Sequence, residues 1–401
     1  MRRGAASARR PCSTLSIASV LLAGCIMRSP AAQPPPQPGW SAVTTYLDSA
    51  VAAGAAPGAV LGVSIGGRRF FYGTGRLGQD DATRPDSSTV YDLASMTKVV
   101  GLTTIAMMAV DEGRLDLDAP VQRYVPAFQG RDKERVTVRH LLTHSSGLRA
   151  FRLLYKETST RDEALALTDT TALDTVPGAR FVYSDLGIIV LTQAIEHIYG
   201  ERIDSLFAER VAGPLGLAST RYLPPASWLP RIAPTENDPW RGHVIRGEVH
   251  DENTARLGGV SGHAGLFSDA LDLVRFGEWI AGGLVKPAGA LHLTRALVAA
   301  TPPTPRSLPT FATRQNIPPG SSRALGWDTP SGESSAGTRL SPSSIGHTGF
   351  TGTSIWIDPS RDLVIVLLSN RVHPTRENTR WGPVRAHVAD LVAATLFPDT
   401  P

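Results

Sequence analysis

Between Trp40 and Ala53 the apolar positions recur with helical spacing, and two glycine-punctuated apolar runs follow, Ala59 to Ile65 and Arg69 to Gly73. Gly66-Gly67 joins those runs, which predicts a β-hairpin because glycine enters the left-handed turn conformations freely. A mostly apolar stretch from Val99 to Val110 predicts a helix that opens at Ser95, runs to Glu112 and stops at Gly113. Leu115 to Phe128 reads as a turn and short helix, Thr137 caps another short helix before Gly147, and Arg161 to Leu167 looks helical. Ile188 to Tyr199 is a strongly apolar helix, with Asp185 as its natural N-cap. Gly258 to Phe267 reads as a glycine-loosened strand that leads through Ser268, as N-cap, into a helix from Asp269 to Ala281. Pro214 to Asp251 has little periodicity, and Pro302 to Ser344 reads as surface loop with one ordered island at Arg323 to Asp328. The chain closes with a strand from Ile345 to Ile357, a turn at Asp358-Pro359-Ser360, a strand from Leu363 to Ser369 and a helix from Trp381 to Leu396.

The first residues follow a different pattern. Arg2, Arg3, Arg9 and Arg10 precede an apolar run from Cys12 to Gly24 that is too short to span a bilayer comfortably. Together they read as a signal peptide over residues 1–24. Its end, Leu22-Ala23-Gly24-Cys25, resembles a bacterial lipobox, which implies cleavage before Cys25 and a lipid on its thiol. An ordinary secretory signal with a chance cysteine is the competing reading. Residues 25–40, with Pro34-Pro35-Pro36, form a stiff extended tether.

Removing residues 1–24 takes away four arginines and no acid, so Lys+Arg falls from 40 to 36, equal to the 36 acidic residues. The formal charge of +4 therefore belongs to the signal, and a neutral body argues against a nucleic-acid partner. Only Cys25 remains afterwards, so no intrachain disulfide is possible. With 42% hydrophobic and 19% charged residues in 401, the rest fits one globular domain with an insertion, or two intimate lobes.

Candidate chemistry centres on Ser95 and Lys98, three apart and on one face of the expected helix. A lysine amine can take a serine proton if burial or a nearby cation keeps it neutral. Gly62-Val63-Ser64-Ile65-Gly66 matches the nucleophile elbow of α/β-hydrolases. That motif needs a strand, turn and helix, whereas a second strand follows here, so Ser64 is a strand serine. Tyr183-Ser184-Asp185 and His347-Thr348-Gly349 follow in order downstream.

Ser95-x-x-Lys98, Tyr183-Ser184-Asp185 and His347-Thr348-Gly349 together resemble the serine β-lactamase and penicillin-binding-protein superfamily. Its motifs are Ser-x-x-Lys, Tyr-x-Asn (or Ser-x-Asn) and Lys-Thr-Gly. His140 to Leu148 and Gly265-Leu266-Phe267-Ser268 look like the class C and carboxypeptidase branch. Ala233 to Asp238, Gly247 to Asn253 and Gly346 to Thr353 are similar to the subgroup typified by penicillin-binding protein 4B. The resemblance covers residues 41–398. It implies an α/β (α+β) fold: an antiparallel sheet flanked by terminal helices (residues 41–115 and 255–398), with a mostly helical lobe, 116–254, inserted.

The resemblance also implies roles. Ser95 attacks a carbonyl, a neutral Lys98 takes its proton, and Tyr183 shares or takes over the proton shuttling. The N–H groups of Ser95 and Phe350 form an oxyanion hole, His347 and Thr348 bind a substrate carboxylate or polarise the site, and Gly349 keeps the strand edge open to substrate. Two departures stand out. Asp185 replaces an asparagine, which raises the pKa of Lys98, and His347 replaces a lysine and is only fractionally charged near pH 7. Both point away from an efficient β-lactamase.

The favoured activity is a D,D-carboxypeptidase on peptidoglycan-type peptides, with esterase or weak class C-like β-lactamase activity as alternatives. A silent muropeptide- or β-lactam-binding lipoprotein is the non-enzymatic reading. The resemblance needs no cofactor and no metal. His250, Asp251, Glu252 and His263 read as a polar loop network, and His140 and His144 lack the Glu of a helical zinc motif. The expected location is the bacterial cell envelope, lipid-anchored and facing the periplasm.

Overall fold

In the computed structural model, residues 39–284, 302–332 and 334–398 are described, together with Met1. The chain separates after Pro34, and all described residues but Met1 belong to the unit Pro35–Pro401. The signal peptide, Cys25 and almost all of the tether lie outside the described residues.

Helix α1 (Ser41–Ala52) leads into strands β1 (Gly58–Ile65) and β2 (Arg68–Gly75), joined by Gly66 and Gly67 at φ +53° and +74°. Helix α2 (Thr104–Asp111), helix α3 (Asp185–Tyr199) and helix α4 (Ala270–Leu284) follow. Strands β3 (Ile345–Thr348), β4 (Ser354–Asp358) and β5 (Leu363–Ser369) and helix α5 (Gly382–Leu396) complete the chain. The sheet order is β2-β1-β5-β4-β3, antiparallel throughout, so the early hairpin joins the closing strands through the β1–β5 pair.

The period-two alternation divides the core. Ala59, Leu61 and Val63, with Ile365, Leu367 and Trp356, pack in one cluster with residues of α1 and α5 such as Val43, Leu47, Val388 and Val392. Val60, Val364, Val366, Ile355 and Ile357 belong to the other cluster, with Val274, Phe276 and Ile280 of α4. A sheet covered on both faces explains why β1 and β5 read as apolar runs. At Gly277 a Cβ would stand 2.4 Å from Val364 Cγ1, so this glycine sets how closely α4 lies on the sheet.

Several boundaries differ from the sequence reading. The expected single strand from Ile345 to Ile357 is two strands, because Gly349 to Thr353 turns the chain back on itself. Gly349 N donates to Thr353 O at 2.8 Å and Gly352 N to Gly349 O at 3.1 Å. Gly352 supplies φ +122°, a conformation closed to most L-residues.

The segment from Ser95 is not a uniform α-helix. It is a 3₁₀ turn over Ala94–Met96, wide π turns over Lys98–Thr103, and only then α2. Ser184, not Asp185, caps α3, its Oγ accepting from Gly187 N at 3.1 Å. Asp269, rather than Ser268, caps the next helix by accepting from Asp272 N at 2.9 Å. Ser64 does lie in β1, and its Oγ donates to Glu278 Oε1 at 2.7 Å.

Candidate active site

The peptide before Ser95 is bent by a buried carboxylate. Asp92 Oδ1 accepts from Ala94 N at 2.8 Å, and Asp92 Oδ2 accepts from His250 N at 2.6 Å. Ala94 is thereby held at φ +45°, a left-handed conformation costing an L-residue roughly 1–2 kcal/mol. Such strain collects where surrounding structure over-determines a functional turn. Ser95 leaves this turn and lines a cavity of about 470 Å³ together with Tyr183, His347, Thr348, Gly349 and Phe350.

Lys98 is almost wholly buried, at 1% exposure, and its ammonium is fully engaged. Nζ lies 2.8 Å from Ser95 Oγ, 3.1 Å from His263 O and 2.7 Å from Asp185 Oδ1, with the Tyr183 ring centre at 4.9 Å. Burial alone would lower its pKa, but the Asp185 carboxylate and Tyr183 outweigh it and raise the pKa above the ordinary lysine value. Lys98 is therefore an ammonium, which corrects the neutral base implied by the resemblance.

The start of α3 places Asp185 and Tyr183. Asp185 N donates to Ala150 O at 2.8 Å, and Ser184 Oγ donates to Arg149 O at 2.7 Å. His144, itself at φ +55°, accepts from Ser184 N at its Nδ1 (3.1 Å). Its ring lies 4.4 Å from that of Tyr183. Burial, with the charges of Arg323 and Lys98, pushes the His144 pKa well below the usual range, so it is a neutral ring bracing the phenol.

His347 is neutral for the same reasons, burial first and then Arg323 and Lys98. Its Nδ1 faces Thr348 O at 2.8 Å and its ring centre is 6.0 Å from that of Tyr183. The fractional charge expected from sequence is absent, because the unperturbed histidine pKa holds only in water. Positive charge in the cavity comes instead from Arg323, Arg371 and Arg385. Arg323 stands over the Phe181 and Tyr183 rings at 5.4 and 5.5 Å.

The turn after β3 is tied to the peptide before Ser95. Thr351 Oγ1 donates to Asp92 O at 2.7 Å and Thr353 Oγ1 to Leu93 O at 3.1 Å. A Cβ at Gly349 would lie 2.1 Å from Thr353 Oγ1 and 2.3 Å from Leu93 O. The glycine thus permits this backbone-to-backbone approach; room for substrate was the reason inferred from sequence. Two turns joined by contacts spanning 259 and 260 residues hold Ser95 and Phe350 against one cavity.

The sequence reading missed His144, Asp92 and the three arginines as contributors. His144 lay within the recognised stretch from His140 to Leu148, and Arg323 opens the ordered island, but neither arginine 371 nor 385 carries a local signal. His140 and His144 do not act together. His140 closes a capping box with Thr137, its Nδ1 3.2 Å from Thr137 N. The loop histidines pair with carboxylates, His250 with Glu236 at 3.0 Å and His263 with Asp251 at 2.9 Å. Among the described residues, no group of His, Cys, Asp and Glu could hold a metal ion.

A serine bonded to a buried ammonium, beside a phenol and a strand-edge turn, defines a serine hydrolase site. The model of the Beta-lactamase family matches residues 43–390, and the chain belongs to that family, within the serine β-lactamase and penicillin-binding-protein superfamily. A Salmonella paratyphi B protein named "Putative D-alanyl-D-alanine carboxypeptidase" is 30% identical over 349 residues, covering 78% of this chain and 76% of that protein. Its Salmonella typhi counterpart is 31% identical over the same shares.

Among solved structures, a penicillin-binding protein homologue from Caulobacter crescentus aligns with TM-score 0.70 at 19% identity, covering 90% of this chain and 98% of that one. EstCE1, a hydrolase with promiscuous acyltransferase activity, gives 0.67 at 23% identity, with 88% and 97% covered. A class C β-lactamase from Rhodobacter sphaeroides gives 0.65 at 23% identity, with 88% and 99% covered. These likenesses share the α/β fold of antiparallel sheet and helices.

Proposed function

We propose that this serine hydrolase is a D,D-carboxypeptidase of cell-wall peptides, acting through an acyl-enzyme on Ser95. The observation that carries the reading is the 2.8 Å contact between Ser95 Oγ and a Lys98 ammonium that is itself ion-paired with Asp185. Because Lys98 is charged, its hydrogen bond stabilises negative charge growing on Ser95 Oγ, and Tyr183 relays the proton: its oxygen takes the serine proton as its own hydroxyl proton passes to the nitrogen that will leave. Oγ then bonds the carbonyl carbon, and the carbonyl oxygen takes the electron pair between the N–H groups of Ser95 and Phe350. Collapse of that adduct breaks the bond to the nitrogen protonated through Tyr183, which leaves as the amine. Water repeats the sequence on the acyl-enzyme.

Support for the substrate class comes from the names of the 30%-identical relatives and from charge. A peptide ending in D-alanine carries a free carboxylate, and Arg323, Arg371 and Arg385 line the cavity that would receive it. The neutral His347 cannot supply that charge, so the role expected of it passes to Arg323. We place the enzyme in the bacterial envelope, anchored by lipid at Cys25 and facing the periplasm, where such peptides occur.

Purified residues 25–401 are assayed side by side on a D-Ala-D-Ala peptide, nitrocefin and p-nitrophenyl acetate. D-Alanine release well above background, lost in Ser95→Ala together with labelling by fluorescent penicillin, is the expected result. Background D-alanine release beside brisk ester turnover reassigns the enzyme as an esterase. Labelling that survives Ser95→Ala ends the acyl-enzyme reading.

A further inference from the structure

The cavity arginines are not equivalent. Arg385, on α5, donates from Nη2 to Gly349 O at 2.6 Å. That carbonyl belongs to the same peptide as the Phe350 N–H. Gly352 N also donates to it, at 3.1 Å, so two donors hold one oxygen. The peptide group is planar, with its C=O and N–H pointing in opposite directions. Fixing the oxygen therefore fixes the direction of the Phe350 N–H.

The next carbonyl is gripped as well. Arg371 Nε donates to Phe350 O at 2.8 Å, and its guanidinium lies 4.4 Å from the Phe350 ring centre. Arg371 is in turn held by Arg376 O at 3.0 Å and Asn378 O at 2.8 Å.

Arg385 has a second peculiarity. Among the described residues, no carboxylate lies within ion-pairing distance of it, and its enclosed Nε has no hydrogen-bond partner. Burial, with Arg371 nearby, lowers its pKa to about 10, so it remains charged at neutral pH. An arginine kept without a carboxylate partner, on a backbone oxygen, is an uneconomical way to brace a loop. Its charge has a direct use, though. A cation on an amide oxygen draws electron density through the peptide and strengthens the N–H as a donor.

We propose that Arg385 is a positioning residue for the oxyanion hole, orienting and polarising the Gly349–Phe350 peptide so that the Phe350 N–H binds the developing oxyanion. This rests on the acyl-enzyme reading of Ser95. Arg385 touches neither the attacking serine nor the reacting carbonyl; it acts through the peptide. The rival role for a cavity-lining arginine is to grip a substrate carboxylate, and the two roles separate on a substrate that has none.

The test compares the wild-type chain (25–401), Arg385→Met and Arg385→Lys on p-nitrophenyl acetate, which carries no carboxylate. Acylation is followed in single turnovers over a range of ester concentrations, and binding of phenylboronic acid, whose tetrahedral adduct on Ser95 mimics the oxyanion, is measured in parallel. Removing an oxyanion donor outright typically costs 100- to 1,000-fold, so misdirecting one should cost about 10- to 100-fold in the acylation rate. Arg385→Met is expected to show that loss, a half-saturating ester concentration within about twofold of wild type, and phenylboronate binding weakened by a similar factor. Arg385→Lys, which keeps a cation beside the carbonyl on a side chain one atom shorter, is expected to recover part of both.

An unchanged acylation rate with the neutral ester overturns the proposal. So does a loss confined to peptides bearing a C-terminal carboxylate, which would make Arg385 a substrate ligand. If Arg385→Met melts below the assay temperature, Arg385→Lys, read by the same split, decides. Ser95→Ala in the same assay keeps the two questions apart, because retained turnover there removes the acyl-enzyme reading itself.

Discussion

Asp185 decides the charge of Lys98, and that makes one substitution informative. The family's usual residue at this place is asparagine, which leaves the lysine without a carboxylate. In Asp185→Asn the ammonium loses its 2.7 Å partner while its burial stays, so its pKa falls. If activity needs the ammonium, the alkaline limb of the kcat/KM profile for an uncharged ester should move to lower pH by about one unit or more. An unmoved limb would separate Lys98 from the rate. In the wild type the raised lysine pKa contributes stability that is complete below about 10.5 and is lost only as pH rises through the higher folded value.

Gly349→Ala tests packing: its Cβ would overlap Thr353 Oγ1 and Leu93 O. The expected outcome is a melting point lowered by several degrees and acylation reduced at least tenfold. At this scale Ser95, Lys98, Tyr183 and Asp185 were legible because their chemistry sits in short motifs in a fixed order. Arg371 and Arg385 were not, because an arginine that bonds a distant carbonyl leaves no local spacing to read. His347 was legible as a residue but not as a neutral one, since its charge state is set by burial.

The elements that carry the loops show where periodicity succeeds and stops. Apolar runs bounded by turn residues identified β1, β2 and β5, because the sheet is covered on both faces, and helical spacing identified α1. The pattern failed from Ile345 to Ile357, where apolar residues continue through a turn that Gly349 and Gly352 make possible. It also missed the wide turns after Lys98, where the side chain of Thr104 donates to Val99 O at 2.9 Å, five residues back.

The unpatterned stretch before α4 carries a buried network in which Glu236 binds His250 at 3.0 Å and Arg376 at 2.6 Å. Burial pushes the Glu236 pKa up, but His250 and Arg376 outweigh it and hold it at about 2, against 4.5 ordinarily. A depressed carboxylate contributes stability above its unfolded value and loses it as pH falls through the folded one. Urea midpoints should therefore fall between about pH 4.5 and 2. Glu236→Gln should be less stable at pH 7 by about 1–3 kcal/mol and show a shallower acid slope. Parallel acid slopes in the two proteins would remove Glu236 as a cause.

For the molecule as a whole, attachment to the envelope is the property the first 38 residues would set. Among the described residues, no helix is long and apolar enough to cross a membrane. Membrane association by lipid predicts that Cys25→Ser, expressed from the full chain, moves the protein from the membrane to the soluble periplasmic fraction and abolishes fatty-acid labelling. Catalytic constants on a small ester should be unchanged, because the site is built from residues 92 onward. Retention of the variant in the membrane would remove the lipid anchor. The overall architecture was legible mainly through its motifs, since composition alone gave only one globular body with an insertion.

The order of the parts along the polypeptide has a further effect. Ser95 sits in the first quarter of the chain, yet β1 pairs with β5, the turn at 349–353 is bonded to residues 92–93, and Arg385 arrives only on α5. A nascent chain therefore carries its nucleophile through synthesis before the site that uses it is assembled. The site is complete only when the last-made helix has docked.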